Sequence, residues 1–102
     1  MLVGVNERIR LLGILPEQGN LLTIKIVRAL REELSFSEEE HKEFNVKITD
    51  DRITWDPSAK EKEITFGDLA KEMIEKRLRE LNEKDELTVA DIALWEKFIG
   101  EV

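Results

Sequence analysis

The sequence predicts a small α+β domain, with four to five helices around an antiparallel hairpin or three-stranded sheet at about residues 46–66. Three observations support this class. Apolar residues recur at helical spacing over residues 20–34 and 67–82, and strict alternation replaces that period from Asn45 onward. No linker or internal repeat divides the chain. A length of 102 residues is typical of one domain, so residues 1–102 are predicted to form a single globular unit.

The first two helices are predicted on either side of a break at Pro16. Asn6 is the predicted N-cap of a short first helix, and Gly13 is expected to close it in the left-handed conformation. Asn20 is the predicted cap of residues 21–34, the most apolar continuous stretch. The first residues of this stretch also alternate like a strand, but a long run of good helix formers favours a helix. Its expected buried face contains Ile24, Ile26, Val27, Leu30 and Leu34.

A short acidic helix and a β-hairpin are predicted next. Ser37 and Glu40 have the spacing of a capping box, which predicts a helix at about residues 38–44. Asp50 and Asp51 are a turn signal between two alternating segments. A third strand is an open alternative, because an isolated two-stranded hairpin is marginally stable. The alternating segments are residues 46–49, 52–55 and, as the candidate third strand, 60–66.

Two more helices are predicted in the C-terminal third. Gly67 precedes a helix that runs to about Asn82, and Thr88 and Asp91 have the spacing of a capping box that opens a last helix to about Ile99. The expected stripe of the first contains Ala70, Ile74, Leu78 and Leu81, widened by Leu69 and Met73. The expected stripe of the second contains Ile92, Trp95 and Ile99, with Phe98 beside it.

The composition excludes several classes of site. The chain has no cysteine, which excludes disulfides, thiolate metal sites and cysteine nucleophiles. No apolar run approaches the ~20 residues that a membrane span needs, and the first residues lack the basic flank of a signal peptide. The sequence therefore predicts a cytoplasmic protein that does not bind a membrane.

The formal charge of −7 is unevenly distributed. Residues 1–34 have a net charge of +1, whereas residues 35–66 and 67–102 each have a net charge of −4. Phosphate backbones are unfavourable partners for such a chain. Helices followed by a hairpin also occur in winged-helix DNA binders, but here the helix before the hairpin carries four glutamates that would face the DNA. Direct nucleic-acid binding is therefore not expected.

No catalytic or cofactor site is recognisable. His41, the only histidine, lies in a glutamate-rich predicted helix, which is a poor setting for a general base. Its spacing from Glu38 matches half of a di-iron carboxylate motif, so a metal site there needs a second copy of the chain. Paired carboxylates such as Asp50 and Asp51 lie in turn-like contexts, without the opposed pair of a glycosidase. We predict a non-enzymatic protein with no catalytic residue, and no cofactor or metal in the single chain.

The candidate partner surface combines basic and aromatic side chains. It consists of Lys25, Arg28, Arg31, Trp55 and Trp95, with Arg8 and Arg10 as neighbouring cations. The three cations of residues 25–31 follow one another at helical spacing in an otherwise acidic protein. Tryptophan is enriched in binding hot spots, so an exposed one would mark an interface, whereas core packing is its ordinary role.

Most of the chain resembles short phage and prophage proteins of about 100 residues that have no assigned function. The similarity lies in residues 15–23, 25–28, 30–34 and 37–40, in Thr54-Trp55, in Lys60–Ile64 and in Leu94–Phe98. The resemblance implies a bacterial-virus context, the cytoplasm of the host cell and a non-enzymatic accessory role. It transfers no functional residues, because none of these motifs has known chemistry.

Three hypotheses follow from the sequence. The favoured one is a small protein-interaction or accessory module that binds another protein of unknown identity, with a homodimer left open. The first alternative is an acidic nucleic-acid mimic that inhibits a host DNA- or RNA-binding protein. It requires the carboxylates of residues 38–43, 50–63 and 83–91 to converge on one face. The second alternative is an oligomeric metal-binding protein that uses Glu38 and His41.

Overall fold

The structure is a computed structural model that describes residues 1–50, 52–56 and 59–100. Its elements, in chain order, are β1 (Leu2–Val3), α1 (Val5–Ile14), α2 (Leu21–Leu34), α3 (Glu38–Glu43), β2 (Lys47–Ile48), β3 (Ile53–Thr54), β4 (Lys62–Glu63), α4 (Asp68–Glu83) and α5 (Asp91–Phe98). The α+β class is confirmed, since the described residues contain five helices and two short antiparallel pairs of strands. No helix among them is long and apolar enough to cross a membrane.

Four helices form a closed ring of contacts. Helix α1 packs against α2 and α5, and α4 packs against the same two helices from the other side. The residues at the centre are fully buried leucines and an isoleucine: Leu11, Leu34, Ile74, Leu78 and Leu94. Each buried side chain of this size contributes roughly 1.5–3 kcal/mol relative to exposure. Helix α2 contacts α1 and α4 in this ring, while Leu21, Leu22 and Ile24 near its start stay exposed.

The candidate third strand forms, but it pairs with the start of the chain. Strand β4 is antiparallel to β1, with Leu2 opposite Glu63 and Val3 opposite Lys62. Val3 is buried, and the amino group of Met1 donates to the Ile64 carbonyl at 3.1 Å. The segment from Met1 to Gly4 is too short for a periodicity signal, so the partner of residues 60–66 was not predictable from alternation.

The hairpin forms where the alternation predicts it. Strands β2 and β3 pair in antiparallel register, and both the backbone N–H and the hydroxyl of Thr49 donate to the Arg52 carbonyl. Asp51, the second residue of the predicted turn, lies outside the described residues. None of the hairpin side chains that the structure describes belongs to the main core. The hairpin is attached instead to the end of α3, where the Asp56 N–H donates to the Phe44 carbonyl at 2.7 Å.

The predicted caps of α2 and α3 are confirmed, and that of α1 is wrong. The capping box of Thr88 and Asp91 forms only in part, since the Thr88 N–H donates to the Asp91 carboxylate but α5 begins after Ala90. The Asn20 side chain accepts from the Thr23 N–H at 2.9 Å, and Ser37 and Glu40 make both bonds of the capping box. Helix α1 begins at Val5 rather than after Asn6, because burial of Val5 extends it toward β1. Gly13 does not close α1 but lies inside it.

Gly13→Ala is expected to raise the free energy of unfolding by about 0.5–1 kcal/mol, because alanine restricts the unfolded chain and favours the helix. A Cβ at this position would meet no atom within 4 Å. Gly19→Ala is the matched control. It is expected to lower the free energy of unfolding, because its Cβ would lie 2.7 Å from the Thr23 Cγ2. Urea unfolding followed by tryptophan fluorescence measures both. A loss of stability in Gly13→Ala would contradict the helical placement of this residue.

The last helix presents a different face to the core from the one predicted. Asp91 and Leu94 are buried, whereas Ile92 is 49% exposed. The Asp91 carboxylate accepts two hydrogen bonds from Arg10 of α1, at 2.7 and 2.9 Å. This ion pair orients α5 with Asp91 and Leu94 toward α1. The expected stripe is therefore wrong at Ile92, while Trp95 and Ile99 remain partly buried against the core.

Candidate protein-interaction site

The outer face of α2 is both basic and apolar. Lys25, Arg28 and Arg31 are exposed and lie outside the buried face, which consists of Val27, Leu30 and Leu34. Leu21 is 70% exposed and Ile24 is 38% exposed, and they precede Lys25 and Arg28 by four residues, so they share this face. We call Leu21, Ile24, Lys25, Arg28 and Arg31 the α2 ridge.

The cations of the α2 ridge are free of ion pairs within residues 1–50, 52–56 and 59–100. The prediction that Ile24 belongs to the buried face is wrong, because the first turns of α2 contact the core only through Ile26 and the residues after it. A helix that exposes both apolar and unpaired cationic side chains offers a surface for a partner.

An open groove separates α2 from α4. Its larger part has a volume of about 760 Å³ and runs from the loop at residues 15–20 along both helices. Its smaller part, of about 400 Å³, continues toward Gly67. Leu22 of α2 and Leu69 of α4 line both parts and are 56% and 53% exposed. We call this feature the α2–α4 groove.

The apolar lining of the groove follows from helical periodicity. Leu22, Ile26 and Ala29 succeed one another at spacings of four and three on α2, and Leu69 and Met73 are four residues apart on α4. Ile26 and Met73 are partly buried against the core, so the groove has an apolar floor continuous with the interior. In the sequence, Leu69 and Met73 widen the apolar stripe of α4. That widening predicts core packing, but in the structure both residues line the groove.

The rim of the groove is acidic. Its charged residues are Glu17, Glu33, Asp68, Glu72, Lys76, Arg77 and Glu80, a net charge of −3. Arg77 is already engaged, since its Nε donates to the Ile14 carbonyl at 2.8 Å and its Nη1 lies 3.3 Å from Glu80. Glu17, Glu33, Asp68 and Glu72 form no ion pair with a described residue. The groove therefore attracts positive charge.

Arg8 does not extend the basic surface, contrary to the expectation from the sequence. Its guanidinium is fully buried between α1 and the chain that follows α2. It donates to the carbonyls of Leu34 and Ser35 at 3.0 and 2.8 Å, and to both carboxylate oxygens of Glu40 at 2.6 and 3.2 Å. The Phe36 ring covers it at 4.0 Å. Arg8 thus fastens α3 to α1.

Two internal carboxylates are held ionised by arginines. The hydrogen bond from Arg8 lowers the pKa of Glu40 from 4.5 to about 2, against the opposing effect of burial. Burial is also the largest single effect on the pKa of Asp91 and raises it, but hydrogen bonds from Arg10 and Thr88 together outweigh it and lower that pKa. Both carboxylates are therefore engaged by arginines, Asp91 in the interior and Glu40 at its edge, and neither adds an unpaired negative charge to the surface.

The two tryptophans belong to neither the α2 ridge nor the α2–α4 groove. Trp55 follows β3 and is half-buried, while Trp95 lies on α5, packs against the core and has the Arg79 guanidinium 5.8 Å from its ring. Neither lines the α2–α4 groove. The five residues of the predicted partner surface therefore lie on three separate parts of the fold.

The half-motif of Glu38 and His41 is not completed within the described residues. The His41 ring packs edge-on against Phe36 with a centroid distance of 6.1 Å. Across residues 1–50, 52–56 and 59–100, no group of three or more histidine or acidic side chains is placed to hold a metal ion. Any metal site would have to be completed by another chain.

Comparison of the chain with protein-family models, with curated proteins and with solved structures finds no match. The geometry and charge of the α2 ridge and the α2–α4 groove are therefore the features that bear on function.

Proposed function

We propose that this protein is a non-enzymatic interaction module that binds an amphipathic helix in the α2–α4 groove. The observation that supports this proposal is the exposed apolar pair of Leu22 and Leu69 on facing walls above a floor of Ile26 and Met73. A groove between two helices with an apolar floor is the usual receptor for the apolar face of a third helix. Binding of the partner would bury the apolar surface of Leu22 and Leu69, each of which is about half exposed in the free protein.

The charge of the rim selects the class of helix. Glu33 lies on the α2 wall and Glu72 on the α4 wall, and both are unpaired within the described part of the chain. A partner helix with lysine or arginine beside its apolar stripe would place cations against these carboxylates. An acidic helix would be repelled. The proposed ligand is therefore a basic amphipathic helix of another protein.

The proposal includes a cellular location, and two observations count against the alternative functions. We place the module in the cytoplasm of a bacterial host, in line with the resemblance to short phage and prophage proteins. The nucleic-acid mimic is less well supported, because Glu40 and Asp91 belong to the segments it requires and are bound by Arg8 and Arg10. A metal protein is less well supported, because Glu38 and His41 recruit no further ligand among the described residues.

Binding of a designed basic amphipathic peptide tests this function. A fluorescein-labelled helix of leucine and lysine is titrated with the protein and followed by anisotropy. Leu22→Glu and Leu69→Glu are each expected to weaken binding at least about tenfold, since each removes apolar area worth roughly 1.5–3 kcal/mol and adds a charge. Ile92→Glu is the matched control, because Ile92 is equally exposed on α5 and does not line the groove.

Two results would reject the proposal. One is a peptide affinity that Leu69→Glu and Ile92→Glu lower equally. The other is no difference in binding between the leucine–lysine peptide and a leucine–glutamate peptide of the same pattern. Circular dichroism of each variant verifies that the five helices are retained.

A further inference from the structure

We infer that a second copy of this chain supplies the basic amphipathic helix, so that the α2 ridge of one protomer docks on the α2–α4 groove of the other. The inference rests on the proposed function and identifies the partner. The α2 ridge has the required chemistry, with the apolar Leu21 and Ile24 beside the cationic Lys25 and Arg28. It is part of a helix of 14 residues, long enough to fill a groove between two helices.

The unpaired charges of the chain are complementary. Three cations of the α2 ridge lack an ionic partner, and so do four carboxylates of the groove rim, all judged among the described residues. Placing Lys25 and Arg28 of one protomer beside Glu33 and Glu72 of the other would pair both sets. Charge pairs of this kind fix the register of an interface and suppress wrong partners.

The exposed apolar residues are concentrated at the same place. Seven large hydrophobic side chains are exposed in the described part of the chain, and four of them belong to the ridge or the groove. These four are Leu21, Leu22, Ile24 and Leu69. One contact with a second copy would therefore cover most of the exposed large apolar side chains.

The ridge and the groove are neighbours on one helix, which suits a two-fold axis. Leu22 and Ile26 form the groove wall of α2, and Leu21 and Lys25 begin the ridge beside it. An isologous pair with the two α2 helices side by side can make both ridge–groove contacts at once and closes as a dimer. A pairing of ridge against ridge is disfavoured, because it sets Lys25, Arg28 and Arg31 against the same cations.

Complementary charge reversal tests the dimer. The ridge variant is Lys25→Glu/Arg28→Glu, and the rim variant is Glu33→Lys/Glu72→Lys. Sedimentation velocity is measured over the micromolar range for the wild type, for each variant and for their equimolar mixture. Wild type is expected to dimerise, and each variant alone to dissociate at least about tenfold more readily, since its ridge and rim then repel. The mixture is expected to dimerise like the wild type, because both contacts of the mixed dimer regain opposite charges.

Arg52→Glu/Lys60→Glu is the matched control for the ridge variant, since it makes the same change in net charge at exposed residues in and beside the hairpin and should leave the dimer unchanged. The inference is overturned if the wild type stays monomeric or if the mixture stays as dissociated as the single variants. The peptide titration separates the two proposals. A monomeric protein whose groove still binds the leucine–lysine peptide rejects only the second copy, whereas a monomer that binds no peptide rejects both.

Discussion

Arg8→Met is expected to lower the free energy of unfolding by about 2–4 kcal/mol, because Arg8 is fully buried while the Glu40 side chain is 20% exposed and stays partly solvated. Arg8 uses four of its five N–H groups, on two backbone carbonyls and both oxygens of Glu40. Methionine matches the buried stem but leaves Glu40 without its cation and the carbonyls of Leu34 and Ser35 without donors. Urea unfolding at neutral pH measures the loss.

The control for this prediction is a similar ion pair on the surface. Arg79 makes two hydrogen bonds to Glu75 one turn earlier on α4, and both side chains are exposed. Arg79→Met should therefore cost less than about 1 kcal/mol. Arg8→Lys should recover little of the Arg8→Met loss, because one ammonium cannot reach acceptors spread around a planar guanidinium. Equal losses at Arg8 and Arg79 would refute the role assigned to burial.

Glu40→Gln is expected to cost about 3 kcal/mol at neutral pH and almost nothing at strongly acidic pH. The pKa of Glu40 falls from 4.5 to about 2 on folding, and each pKa unit corresponds to about 1.4 kcal/mol. Because the folded pKa is the lower one, this stability is fully present above the unfolded pKa. It is lost as the pH falls from about 5 to below about 2, where the wild-type carboxyl is protonated in both states.

The measurement is the difference in unfolding free energy between wild type and Glu40→Gln across this pH range. The difference cancels contributions that the two proteins share, including that of Asp91, whose lowered pKa acts in the same direction. Glu75→Gln is the control, since its exposed pair with Arg79 should give a small difference at every pH. A difference for Glu40→Gln that persists unchanged at pH 2 would contradict the ion pair with Arg8.

The contact between Arg8 and Glu40 attaches α3, and through it the hairpin, to α1. The described hairpin side chains lie outside the main core, and α3 is joined to α1 by the contacts of Arg8 with Glu40 and Phe36. The sequence could not show this. Arg8 has the spacing of a solvated helix position, and the glutamates of α3 were fully explained as a capping box and a favourable first turn. Glu40 in fact serves both the cap and the ion pair.

The sequence alone determined the features that depend on neighbouring residues. The spacing of Ala70, Ile74, Leu78 and Leu81 gave the buried face of α4, Asn20 and Ser37 gave two helix starts, and alternation around Asp50 gave the hairpin. Each of these is decided within a few residues, by periodicity or by a side chain that reaches its own backbone. The three cations of α2 are exposed to solvent, in keeping with their positions outside its predicted apolar face.

Only the tertiary structure decided which apolar residues are left exposed and which charged residues are buried. Leu22 and Leu69 are large apolar residues of the kind found in cores, yet both line an open groove and are more than half exposed. Arg8 and Asp91 have the composition of surface residues, yet partners 32 and 81 residues away along the chain compensate their burial. Such pairings depend on how distant segments meet, which periodicity does not encode.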